Sequence, residues 1–163
     1  MTILDSVKEA GYVISDPYFE NEQVLVVKKS KGYTSSYDLA GKNVAVQAYS
    51  TGDYCAEDYF ADVFKSVKKC SSFIECFTDL KNDTVDAILL DKSVAEMNVA
   101  TYGYRIIDED IYAEQYGIVF RSTDGKLCEQ VEEAISALVE NGTYAMIAEK
   151  YPEIINNLIY INT

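Results

Sequence analysis

Two short stretches of this sequence carry side chains suited to gripping a small charged molecule. Ser50-Thr51-Gly52 follows the apolar run Val44-Ala45-Val46 and precedes a helical spacing of apolar residues that opens near Asp53. The first amides of a helix have no acceptor inside it and sit at the positive end of its dipole, so two hydroxyls beside them suit a carboxylate. Asp91 ends a second apolar run, Val85-Asp86-Ala87-Ile88-Leu89-Leu90, and sets one carboxylate just past a buried strand. Each feature has a plainer reading: Ser50 or Thr51 can cap the helix that follows, and Asp91 can cap the helix that opens near Ser93. Together, an anion-binding helix start and a lone carboxylate describe a clamp for the two charged ends of a free amino acid.

The elements that must hold this clamp are legible as alternating strands and helices. Gln23-Val24-Leu25-Val26-Val27-Lys28 is a β-branched apolar run closed by Lys29-Ser30-Lys31-Gly32, which predicts a buried strand and a turn. Tyr37-Asp38-Leu39-Ala40-Gly41 predicts one helical turn ended by glycine, and residues 42–47 and 85–90 two further buried strands. Cys55, Tyr59, Phe60, Val63 and Phe64 recur at helical spacing, so residues 53–64 are expected to form an amphipathic helix. Residues 71–76 and 104–107 read as strands, 78–82 and 93–101 as short helices, and 116–120 as another strand. A long helix is expected over residues 126–140 with Leu127, Val131, Ala134, Ile135 and Leu138 inward, closed by Asn141-Gly142. A last helix, residues 143–151, stops at Pro152. This order predicts an α/β fold with a mainly parallel sheet and helices on both faces, whose ligands bind beyond the carboxyl ends of the strands.

Composition narrows the function further. A chain of 163 residues can bury roughly 70% of its unfolded surface. With 14 Lys and Arg against 27 Asp and Glu, its net charge of -13 repels nucleic acid and anionic membranes. The same acidity can draw cations near, or simply keep the surface solvated. Histidine is absent, which removes the commonest general base and every Ser-His or Cys-His pairing, so no catalytic residue is assigned and most hydrolase mechanisms fall. Cys55, Cys70, Cys76 and Cys128 include no Cys-x-x-Cys pair, so a zinc site is not expected and four reduced thiols are. No apolar run approaches the roughly 20 residues that span a bilayer, and the first five residues lack the basic start of a signal peptide.

The order and spacing of several segments resemble a known family. These are Ser15-Asp16-Pro17-Tyr18-Phe19, Asp38-Leu39-Ala40-Gly41-Lys42 with Val44-Ala45-Val46-Gln47, Ser50-Thr51-Gly52, the run ending at Asp91, Tyr116-Gly117-Ile118, and Asn141-Gly142-Thr143-Tyr144. They are similar to the extracellular solute-binding proteins, family 3, which deliver polar and charged amino acids to ABC transporters. The resemblance implies a periplasmic-binding-protein-like (type II) lobe, no cofactor and no metal. It assigns the ligand α-carboxylate to Ser50, Thr51 and Gly52 and the α-amine to Asp91, with Gln47 at a position that often lines the pocket. Tyr49 stands where the family usually has a small residue; it can stack on a ligand or take an ordinary packing role.

By the same resemblance, residues 1–27 are a remnant of lobe one with the first hinge strand, and residues 28–116 are the clamping second lobe. Residues 117–163 would be the second hinge strand and the helices returning to lobe one. Family members usually begin with a longer stretch, so most of lobe one is expected to be missing, as is an arginine that would precede Ser15 and pair with the carboxylate. Ile154, Ile155, Leu158, Ile159 and Tyr160 should then be exposed unless they fold back or pair with another copy, which makes a homo-oligomer an expectation. The implied partners are a free polar amino acid and, in a full-length parent, a transporter permease, outside the cytoplasm and beside the membrane. Three alternatives stand beside this reading: a sensor input domain, a dehydratase-like enzyme on the same scaffold, and a partner-binding domain with no small ligand.

Overall fold

The computed structural model describes residues 2, 5–99 and 103–161, with the backbone alone for Asp5 and Ser6. In chain order the elements are α1 (Asp5–Glu9), β1 (Val13–Ile14), β2 (Phe19–Lys28), β3 (Asn43–Gln47), α2 (Thr51–Asp58), β4 (Ser66–Cys70), α3 (Phe73–Lys81), β5 (Ala87–Asp91), α4 (Lys92–Val99), β6 (Tyr104–Tyr116), β7 (Val119–Phe120), α5 (Gly125–Glu140) and α6 (Thr143–Ala148). The end of the helix expected over residues 93–101 lies outside the described residues. The chain divides into two compact units, residues 22–113 and residues 1–21 with 114–163, and passes between them within β2 and β6.

The unit of residues 22–113 is built on a sheet of order β4-β3-β5-β2-β6. β3 pairs in parallel with β4 and β5, and β5 pairs antiparallel with β2, so the sheet is mostly parallel, as the alternation of strands and helices predicts. Its central strands are buried on both faces, which is why they read as continuous apolar runs. Side chains alternate between two cores. Val24, Val26, Ala45, Ile88 and Leu90 face α3 and α4 with Leu80 and Ala95, while Leu25, Val27, Val44, Val46 and Leu89 face α2 with Cys55 and Ala56. Val24 to Val27 are all fully buried, and at about 1.5–3 kcal/mol for each such side chain this one strand anchors both layers.

The edges depart from the sequence reading. The strand expected over residues 71–76 is instead β4, five residues earlier, and residues 73–81 form α3. β4 lies at the sheet edge and reads Ser-Val-Lys-Lys-Cys; an edge strand faces water and is protected by charge, so it carries no apolar alternation. Ser72 caps α3 by accepting the Glu75 amide at 3.3 Å, a capping-box spacing that marks the helix start. At the other edge, β6 runs unbroken through an acidic stretch where only residues 104–107 were expected to be strand, and β7 is a separate short strand.

The helix expected over residues 53–64 is shorter, ending at Asp58. The chain beyond it is taken by tertiary bonds: Gly41 donates to the Val63 carbonyl at 2.8 Å, Lys65 donates to that of Lys42 at 2.8 Å, and Phe60 stacks on Phe64 with centroids 4.7 Å apart. These tie it to the start of β3.

In the second unit β1 and β7 form a two-stranded antiparallel sheet beside α5, which packs in turn on α6. α5 turns only part of the expected face inward: Cys128 is buried and Val131 and Ile135 half-buried, whereas Leu127, Ala134 and Leu138 are exposed. Ile154, Ile155, Leu158, Ile159 and Tyr160 are half-buried and fold back within their own unit; Ile159 donates to the Tyr18 carbonyl and Tyr160 meets Tyr144 edge-on. Asn21 and Glu114, both buried, bond to each other at 2.6 Å. All four cysteines are buried and none is in a disulfide.

Candidate functional site

The clamp residues gather at the carboxyl ends of β3 and β5, where a sheet of this kind presents its loops to a ligand. β3 ends at half-buried Gln47, whose carbonyl accepts the Ser50 amide at 3.2 Å, so the chain turns sharply into α2. Tyr49 takes the left-handed conformation with φ 62°, which costs a non-glycine residue of order 1–2 kcal/mol, and its side chain is fully exposed. It therefore fills no core position. Ser50 is the N-cap of α2: its Oγ accepts the Asp53 amide at 3.2 Å, and its hydroxyl proton remains available as a donor. The plainer capping role of Ser50 thus holds, and it leaves an anion-binding role open because one hydroxyl serves both. Thr51 opens the helix, and Gly52 is buried in its first turn.

Gly52 is required by packing. A Cβ at this position would lie 2.7 Å from the Leu89 carbonyl oxygen and 3.1 Å from Gln23 Oε1, so α2 rests directly on the backbone of β5. Two residues further along β5 is Asp91, half-buried and paired in register with Gln23 of β2. The Gln23 amide donates to Asp91 Oδ1 at 2.5 Å. One fully buried side chain therefore touches both halves of the clamp. Sequence reading placed Gln23 in a strand and gave it no role, although a glutamine heading an otherwise apolar buried run is the signal that could have found it.

Asp53 is the second missed residue. It is buried, its Oδ2 accepts the Tyr49 amide at 2.9 Å, and its Oδ1 pairs with Lys69 Nζ of β4 at 2.9 Å. The carboxylate thus pins the strained turn while Ser50 Oγ receives the Asp53 amide. Lys69 is held above its ordinary range by hydrogen bonds to Glu57 and Asp53 and stays charged. Asp53→Ala is expected to lower stability by about 1–2 kcal/mol, below the value for a fully buried ion pair because Lys69 is half-exposed. Urea denaturation checks this; an unchanged midpoint would mean that the turn holds itself.

Residues 4–153 match the family model of bacterial extracellular solute-binding proteins, family 3. The chain belongs to that family. Among curated relatives of this chain, a probable histidine-binding protein of Neisseria gonorrhoeae is 30% identical over 93% of the chain and 58% of its own length. ABC transporter arginine-binding protein 1 of Escherichia coli is 29% identical over 83% of the chain and 57% of its own length. The chain thus spans less than two thirds of these relatives. Among solved structures, a substrate-binding protein of an ABC uptake transporter from Streptococcus pneumoniae with bound histidine superimposes with a TM-score of 0.85 at 29% identity, over 93% of this chain and 65% of that one. An ancestral arginine-binding protein bound to glutamine gives 0.83 at 38% identity, over 94% and 68%.

Proposed function

We propose that this family 3 chain binds a free polar amino acid for an ABC uptake system, and that residues 22–113 carry the groups holding its two charged ends. The first turn of α2, with Ser50 Oγ and the amides of Thr51 and Gly52, takes the α-carboxylate, because hydroxyl and amide donors there act with the positive helix end. Asp91 takes the α-amine as a charge-assisted acceptor. Gln47 and Tyr49 flank the carboxylate end, the exposed Tyr49 ring being available to a ligand side chain. The observation that carries the reading is Gln23, which bonds Asp91 and abuts Gly52, so that one rigid core residue fixes the spacing of cation and anion sites. Such fixed spacing is what a ligand with constant backbone and variable side chain needs.

The names of the relatives, which record arginine, histidine and glutamine binding, support this ligand class. An excess of 27 acidic over 14 basic residues favours the basic amino acids among them. The partner is the transporter's permease, and the place of action is outside the cytoplasm, as the family implies. No helix among the described residues is long and apolar enough to cross a membrane.

Thermal unfolding with a panel of free amino acids tests the proposal. At about 100 times its Kd a ligand adds ~2.7 kcal/mol, and at about 2–4 °C per kcal/mol for a chain of this size the midpoint should rise by roughly 5–10 °C. Arginine, histidine and glutamine are expected to give the rise and an N-acetylated amino acid, lacking the cationic amine, to give none. A flat response to the whole panel would overturn the assignment.

A further inference from the structure

We propose that Cys70, Glu75 and Asp79 form a binding site for a thiophilic divalent cation such as Zn²⁺, at the edge of the sheet where β4 meets α3, with Lys68 as the internal cation that the metal displaces. The sequence does not lead one to expect zinc, because neither Cys-x-x-Cys nor histidine is present; the donors instead come together in space from a strand end and one helix face. Ligand atoms of Cys70, Glu75 and Asp79 all lie within 4.8 Å of one another. The Cys70 thiol is 3.5 Å from Asp79 Oδ2. Tetrahedral zinc bonds of about 2.3 Å to sulfur and 2.0 Å to oxygen put those two atoms about 3.5 Å apart.

The surroundings prepare the donors. Glu75 Oε2 accepts the Ser71 amide and hydroxyl, each at 2.8 Å, which fixes the carboxylate and leaves Oε1 turned toward Lys68 at 3.8 Å. Support of this kind orients ligands in protein metal sites. Glu75 and Asp79 are four residues apart on α3 and share a face. Lys68 Nζ sits 2.5 Å from Asp79 Oδ2, so the site already holds a positive charge, on a side chain that is 42% exposed and free to swing outward. That exposure is the entry path. As the metal enters, the Cys70 thiol releases its proton to solvent, one sulfur–metal bond replaces one S–H bond, and no electron changes hands.

The chain, freshly reduced and freed of reductant, is titrated with Cd²⁺ while the ultraviolet sulfur-to-cadmium charge-transfer band is followed, and Zn²⁺ is then added. One equivalent should saturate the band and Zn²⁺ should remove it. Cys70→Ser and Asp79→Asn should weaken binding about 10–100-fold, Cys128→Ser should leave it unchanged, and Lys68→Ala should tighten it by about tenfold by removing the competing charge. The Lys68 variant keeps the test decisive should the ligand variants fold poorly. No band at one equivalent, equal affinity in Asp79→Asn, weaker binding in Lys68→Ala, or a Cys70–Cys76 disulfide in protein purified without reductant would each overturn the proposal.

Discussion

Asp91→Ala is expected to abolish the stabilisation that a free amino acid gives this chain, with ligand affinity falling about 30-fold to more than 10³-fold. Removing one partner of a desolvated, hydrogen-bonded charge pair costs roughly 2–5 kcal/mol, because the other charge is then held without compensation. Here the other charge is the ligand's ammonium. The variant also takes from the Gln23 amide the acceptor it reaches at 2.5 Å, so some loss of intrinsic stability, about 1–2 kcal/mol, accompanies the loss of binding. Asp91→Asn separates the two effects. It keeps a carbonyl oxygen for Gln23 and the shape of the site but not the negative charge, so its unfolding midpoint without ligand should stay near that of the parent while calorimetric titration shows the full loss of affinity. Retained binding in Asp91→Asn would place the amine elsewhere.

Gly52→Val should produce the largest loss of stability of any substitution at the clamp, about 3 kcal/mol. Two effects compete when a helical glycine gains a side chain: propensity favours the change by about 1 kcal/mol for alanine, and overpacking opposes it by about 1–3 kcal/mol. At Gly52 the second wins because the obstructing atom, the Leu89 carbonyl oxygen at 2.7 Å, belongs to the backbone of a strand in the middle of the sheet and has nowhere to go. Alanine should therefore cost about 1–2 kcal/mol and valine more, as branching drives α2 further from β5. Gly125, the first residue of α5, is the matched control, since a Cβ there meets nothing within 4 Å. Gly125→Ala should be neutral or stabilising by less than about 1 kcal/mol. Guanidinium unfolding of the variants decides the matter; equal midpoints for Gly52→Val and the parent would show that α2 does not rest on β5 as described. Because the same move displaces the amides of Thr51 and Gly52, amino-acid binding should fall with stability.

What the sequence by itself determined is whatever rests on local composition. Residues 24–27, 44–46 and 87–90 are continuous apolar runs because both faces of a central strand are buried, so their strand character and order could be read without a partner. Ser50-Thr51-Gly52 and Asp91 stood out because polar residues follow such runs where chains leave a sheet, and the glycines after residues 31 and 40 mark turns that need a positive φ. Tertiary structure alone decided the rest. β4 and β6 are strands because a neighbour supplies the ladder, and as edges they carry charge in place of the pattern that reveals a strand. α2 ends at Asp58 because the chain beyond it bonds to the start of β3, competition that periodicity does not record. Gln23 and Asp53 acquire their roles from partners far along the chain, Asp91 in one case and Lys69 in the other. Cys70 with Asp79 is likewise a meeting of a strand end with a helix face. A helix face or a buried run is written in the spacing of its own residues, whereas a contact between elements depends on where the whole sheet puts them.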